Sequence, residues 1–262
     1  MNNNQILKVE FKKYRDNYHE CVSDTTFIAS CVSEYAKDLE KKLPFQNYYF
    51  DTAFFVHNVG PNADDTLKSY NTENYTITPK NIQKWQNAFF SNINIIHIVK
   101  FYNAIERFLI ISIRNAFFPD VIINNHLQQN INISINRLGY KDKKNNKHLI
   151  DFLNETSESC REFLSEKLNV DQNLSWKDFF KLLSVLRNNI AHNGGYIDTD
   201  IINNLKGINT KIVDQYFSLE SERLVVKDNI QFLNFFGYCD RLCINLIKFI
   251  HNQTDLEFLK MY

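Results

Sequence analysis

Three side chains near one helix end could do chemistry in this chain: Arg187, Asn188 and His192. An imidazole takes or gives a proton near neutral pH, a guanidinium neutralises an oxyanion, and an amide orients a substrate. Those are the groups that phosphodiester cleavage needs when no metal takes part. Asn188 and His192 are four residues apart, so on a helix they are stacked neighbours. Ala191 beside them is small enough to let another helix or a ligand approach. His192 falls in the last turn, where the helix dipole favours its protonated form.

The run from Leu174 to Tyr196, LSWKDFFKLLSVLRNNIAHNGGY, must build the helix that carries them. Ser175 can cap it, with Asp178 at the positive end. Phe179, Leu182, Leu183, Leu186 and Ile190 recur at helical spacing and form one apolar stripe. Ser184, Arg187, Asn188, Ala191 and His192 lie on the opposite side. Asn193-Gly194-Gly195 supplies the left-handed residues that end a helix. Taken singly, an Arg and a His near a helix C-terminus are ordinary solvated cations.

Taken in order, Arg187-Asn188-Asn189-Ile190-Ala191-His192 followed by Asn193-Gly194-Gly195 resembles the signature of HEPN (higher eukaryotes and prokaryotes nucleotide-binding) domains. Those domains carry an Arg, a polar residue directly after it, and a His a turn or more further on, late in one helix. The resemblance covers the segment from Pro79 to His251. It implies an all-α, four-helix HEPN-like bundle, commonly a homodimer whose signature helices face one groove. It implies a metal-independent endoribonuclease acting on RNA, with no cofactor, in toxin or antiviral (abortive infection) defence, where an antitoxin or defence-system partner is expected. In that reading His192 moves protons, Arg187 holds the scissile phosphate, and Asn188 orients Arg187 or the phosphate. Ser184 on the signature helix and Glu106 are candidate supporting residues, Glu106 because such domains often place a polar or acidic residue on their first core helix. One toxin branch has a tyrosine two residues after the His. Here that position is Gly194 and the tyrosine comes at Tyr196, which puts that branch's regulation by tyrosine modification in doubt. Two other readings stay open: a non-catalytic HEPN module for nucleotide or RNA binding or dimerisation, and a helical protein with a purely structural role.

Composition bounds these readings. The chain has 262 residues, 44% hydrophobic and 14% aromatic, enough for a real core. Six glycines and four prolines are few breakers for that length and argue for a mainly helical protein. Thirty basic and thirty acidic residues cancel, which disfavours a general nucleic-acid coat protein but not a nuclease with a focused site. No apolar run approaches a membrane span, no secretory pattern opens the chain, and a reducing cytoplasm is the expected home. The five cysteines form no CxxC pair and the seven histidines no ligand spacing, so no metal site is expected.

Along the chain, residues 1–78 form a mainly helical extension of unknown role, and 79–262 the HEPN-like domain. Ile6 to Leu43 is amphipathic, in two pieces around Ser23-Asp24-Thr25-Thr26. Phe45 to Thr78 is aromatic and irregular. Thr78-Pro79 opens a helix running to Phe118, broken near Asn92–Asn94. Its Glu106 either faces water or contacts Arg187 or His192. Val121 to Leu138 is predicted helical. It leads to the basic run Lys141, Lys143, Lys144, Lys147, which is either an exposed loop or an RNA phosphate-docking loop. Another helix is predicted from Lys147 to Leu168. Two strand-like runs, Gln215–Leu219 and Arg223–Lys227, make a short β-hairpin before the last helix, which Asp228 and Gln231 open.

Overall fold

A computed structural model of the chain describes residues 3–42, 48–50, 53–57, 67–71, 75–77, 81–118, 147–168, 171–193, 211–220 and 223–251. These residues are mainly helical, with four two-stranded antiparallel sheets among them. The chain divides into two compact units: Met1–Thr26 with Phe90–Tyr262, and Phe27–Phe89. This division differs from the boundary expected at residue 78, because the first turns of the N-terminal helix pack with the later helices.

Helix α1 runs from Asn3 to Lys42 without interruption. The expected break at Ser23–Thr26 does not occur. Thr25 and Thr26 instead turn their hydroxyls back onto the carbonyls of Cys21 and Val22, both at 2.8 Å, which keeps them inside a helix. Helix α2 spans Ile82–Phe117, also unbroken. Asn94, where a break was expected, is buried, and its Oδ1 lies 3.0 Å from the Thr25 hydroxyl. His97 Nδ1 lies 3.1 Å from that same oxygen. A polar residue inside α2 is thus absorbed by α1 rather than ending the helix. The start signal at Thr78-Pro79 and the helix expected over 121–138 lie outside the described residues.

The segment expected as one helix over 147–168 is two helices and a strand. Helix α3 (Lys147–Thr156) stops where Ser157 turns extended, at φ −125° and ψ 115°, and accepts the N–H of Cys160 as the cap of α4 (Glu158–Ser165). Strands β5 (Lys167–Leu168) and β6 (Asp171–Ser175) then pair antiparallel and deliver the chain to helix α5 (Trp176–Asn193). Helix α6 (Lys211–Tyr216) leads into the hairpin β7 (Phe217–Glu220) and β8 (Arg223–Val226), close to the expected boundaries, with Phe217 opposite Val226. Asp228 caps helix α7 (Asn229–Ile250) by accepting the Gln231 N–H at 2.8 Å, the predicted start.

In the first unit one apolar core joins the early part of α1, α2 and α3 to α7. Phe101, Phe108, Phe179, Phe232, Phe235 and Phe236 are all essentially inaccessible. Each such side chain contributes about 1.5–3 kcal/mol on burial. Direction comes from polar ties across the helices. Arg107 donates to both Glu10 oxygens, at 2.8 and 3.2 Å, and Tyr14 and Arg15 both donate to Asp240. The hairpin is pinned to α2 where Val226 N–H donates to Ser91 Oγ at 2.9 Å. The second unit has its own small cluster of Ala36, Leu39 and Ile82 with Trp85 against it. Its strands nest: β1 (Tyr48–Phe50) pairs with β4 (Tyr75–Ile77), and β2 (Ala53–His57) with β3 (Leu67–Asn71). That ribbon occupies the stretch read from sequence as irregular.

Candidate functional site

Helix α5 begins as its sequence requires. Asp178 N–H donates to Ser175 Oγ at 3.1 Å, and the Ser175 hydroxyl donates to Asp178 Oδ2 at 2.6 Å. Both partners of the cap are therefore satisfied locally, and the helix phase is set from its first turn. Phe179, Leu182, Leu183, Leu186 and Ile190 are all buried, so the apolar stripe faces the core. The outward face is narrower than expected. Ser184 is only 8% exposed, a correction to its placement on an open side. The reason lies one turn back: Phe180 is buried and packs on Tyr102 of α2, at 5.8 Å between ring centres. Phe180, Ser184 and Arg187 form one row on α5, and α2 covers that row.

Arg187 emerges at the end of it, half-buried. Its Nε and Nη2 both donate to Asn103 Oδ1, each at 3.3 Å, and Nη1 donates to Asn188 Oδ1 at 2.8 Å. The guanidinium carbon lies 5.9 Å from the centre of the Tyr102 ring. Asn188 is thus hydrogen-bonded to Arg187. Arg187 and His192 are five apart and so diverge by roughly 140° around the axis. Asn188, which Nη1 touches, shares a row of the helix with His192. Ala191 and His192 are exposed in the last turn.

Glu106, one turn beyond Asn103 on α2, is 9% exposed, and its Oε1 is buried with no hydrogen-bond partner among the described residues. Burial pushes its carboxyl above the ordinary range, while the charge of Arg187 works in the opposite direction. The two groups therefore do sense each other, although the hydrogen-bonding tie runs through Asn103. Asn189 is 4% exposed, and neither of its amide atoms has a partner among the described residues.

The structure brings Arg187, Asn188 and Glu106 together, leaves His192 open at the helix end, and buries Ser184. Lys141, Lys143 and Lys144 lie outside the described residues; Lys147 opens α3. Asn103 had no assigned role in the sequence reading. Its signal was the spacing: it is three residues before Glu106, so a helix face that turns Glu106 toward Arg187 also presents Asn103. Among the described residues no group of three or more His, Cys, Asp or Glu side chains could hold a metal ion, and no helix is long and apolar enough to cross a membrane.

No family model, curated protein or solved structure matches the chain.

Proposed function

We propose that the chain is an endoribonuclease of HEPN type, with Arg187 as the phosphate-binding group and His192 as the proton-transfer group. The observation that carries this reading is the state of Arg187. Its guanidinium is fixed by two amide oxygens, from Asn103 and Asn188, neither of which carries charge. A cation held by neutral acceptors keeps its charge for an incoming anion. Among the described residues three of its five N–H groups are engaged, which leaves two to bind phosphate oxygens. An exposed imidazole on the adjacent turn supplies the acid or base.

In this mechanism the imidazole of His192 takes the proton of a ribose 2′-hydroxyl as its oxygen attacks phosphorus. The bond from phosphorus to the 5′ oxygen breaks, and that oxygen leaves with a proton. A 2′,3′-cyclic phosphate and a 5′-hydroxyl result. Arg187 neutralises the charge that builds on the non-bridging oxygens. A second copy of the chain facing the same groove would contribute the same pair, supplying one imidazole as base and another as acid. RNA toxicity in a defence setting, restrained by a partner protein, fits such an activity.

The test is cleavage of a labelled RNA and its DNA counterpart with EDTA present. RNA should be cut to cyclic-phosphate ends and DNA left intact. His192→Ala and Arg187→Ala should each slow the reaction by about 10²–10⁴. Undiminished cleavage in both variants refutes the reading. No cleavage with intact nucleotide binding assigns the chain to the non-catalytic HEPN modules.

A further inference from the structure

The contact between α2 and the signature helix has a chemical peculiarity. The residue that grips Arg187 across the helix boundary is an amide, on a surface where an aspartate of the same shape would form an ion pair. Asn103 offers one oxygen to the side edge of the fork, Nε and Nη2, at equal distances of 3.3 Å. Asn188 holds Nη1. Glu106, one turn further along α2, is buried, which favours its neutral form. Arg187 is the charged group that acts on it. Orientation and charge are thus separated: the tether aims the guanidinium without neutralising it.

We propose that Asn103 is the positioning residue for Arg187, and that its lack of charge keeps the guanidinium able to bind an anionic phosphodiester. This rests on the reading of Arg187 as the phosphate-binding group. Asn103 is exposed, so its replacement disturbs no core packing. Asn103→Asp retains the shape and the accepting oxygen and adds a negative charge. It converts the tether into a salt bridge that quenches the site. Asn103→Ala removes the tether and leaves the charge.

The probe is a fluorescent 2′-O-methyl oligoribonucleotide, which lacks the attacking hydroxyl, titrated into the full chain by anisotropy across a range of salt. Each phosphate contact neutralised by a cation adds about 0.7 to the slope of log affinity against log salt on a single strand. Arg187→Ala should lower that slope by about 0.7. Asn103→Asp should lower it by the same amount and weaken binding about ten- to hundredfold, the weight of one charge-assisted contact. Asn103→Ala should weaken binding while keeping the wild-type slope. Ala116→Asp adds the same charge at another exposed position of α2 and should leave the slope unchanged. Circular dichroism confirms that each variant keeps its helix content. If Arg187→Ala lowers the slope and Asn103→Asp does not, or if Ala116→Asp matches Asn103→Asp, the role of Asn103 is refuted while the phosphate-binding reading stands. If Arg187→Ala itself binds like the wild type, both fall.

Discussion

Asn189 gives the sharpest stability test. It sits on α5 beside Leu186 and Ile190 with 4% of its surface exposed, and among the described residues neither its carbonyl nor its amino group is hydrogen-bonded. An amide taken from water without compensation costs about 1–3 kcal/mol in proteins. Asn189→Ala removes both polar atoms without adding volume. It also gains up to roughly 0.7 kcal/mol of helix propensity. Against this stands the packing lost with the side-chain atoms, about 1 kcal/mol for a small void. The net expectation is a gain of about 1–2 kcal/mol. At about 2–4 °C per kcal/mol for a chain of this size, the melting temperature should rise by about 2–8 °C. Urea unfolding followed by circular dichroism checks the sign, with a later midpoint at unchanged slope. Asn189→Leu restores the volume and should be stabilising as well. If both variants unfold earlier at unchanged slope, the amide makes bonds in solution that this geometry lacks, and the argument fails.

Glu106→Gln tests the buried carboxyl. Because its folded pKa is raised by burial, the stability linked to its protonated form is complete below the ordinary carboxylate range and is lost as pH rises through the folded value. The glutamine variant should therefore be more stable than the wild type at neutral pH and lose that advantage in acid, read from melts over a pH series; a pH-independent difference refutes it. The helix caps give a second check: Asp228→Ala should cost about 1 kcal/mol by removing the acceptor of the Gln231 N–H, measured in the same urea assay, and no loss would mean that α7 starts elsewhere.

What the sequence disclosed was local. The caps of α5 and α7 each depend on residues three apart, Ser175 with Asp178 and Asp228 with Gln231, so no tertiary knowledge was needed. The β7–β8 hairpin was visible for the same reason: two strand-like runs around Glu220-Ser221-Glu222. The apolar stripe of α5 followed from periodicity alone. The misreadings were competitions that periodicity cannot decide. Ser157 looks like any polar residue within a helix, yet its side chain captures the Cys160 N–H and starts a new one. Thr25 and Thr26 look like a break, yet back-bonding retains them. Asp171-Gln172-Asn173 has no apolar alternation to mark a strand, and its pairing depends on the strand before it.

At the site the same division holds. Arg187, Asn188 and His192 stood out as types in order within one helix. Glu106 stood out as a charge in an apolar stretch. Asn103 did not, because an exposed asparagine on a helix is unremarkable until another helix brings a guanidinium to it. Ser184 was misplaced because the width of α5's buried sector depends on how far α2 wraps around it, which the ring of Phe180 decides.

The bond from Val226 to Ser91 has a further consequence. A two-stranded hairpin has two open margins, and each free amide along them is an invitation to another chain's backbone. Here a serine hydroxyl occupies the outward Val226 amide in β8, while the next amide, Lys227 N–H, faces the other arm of the hairpin and extends the ladder to the Tyr216 carbonyl at 3.0 Å. That outward donor at the end of β8 is engaged within the molecule, so it is withheld from an incoming strand while the serine remains.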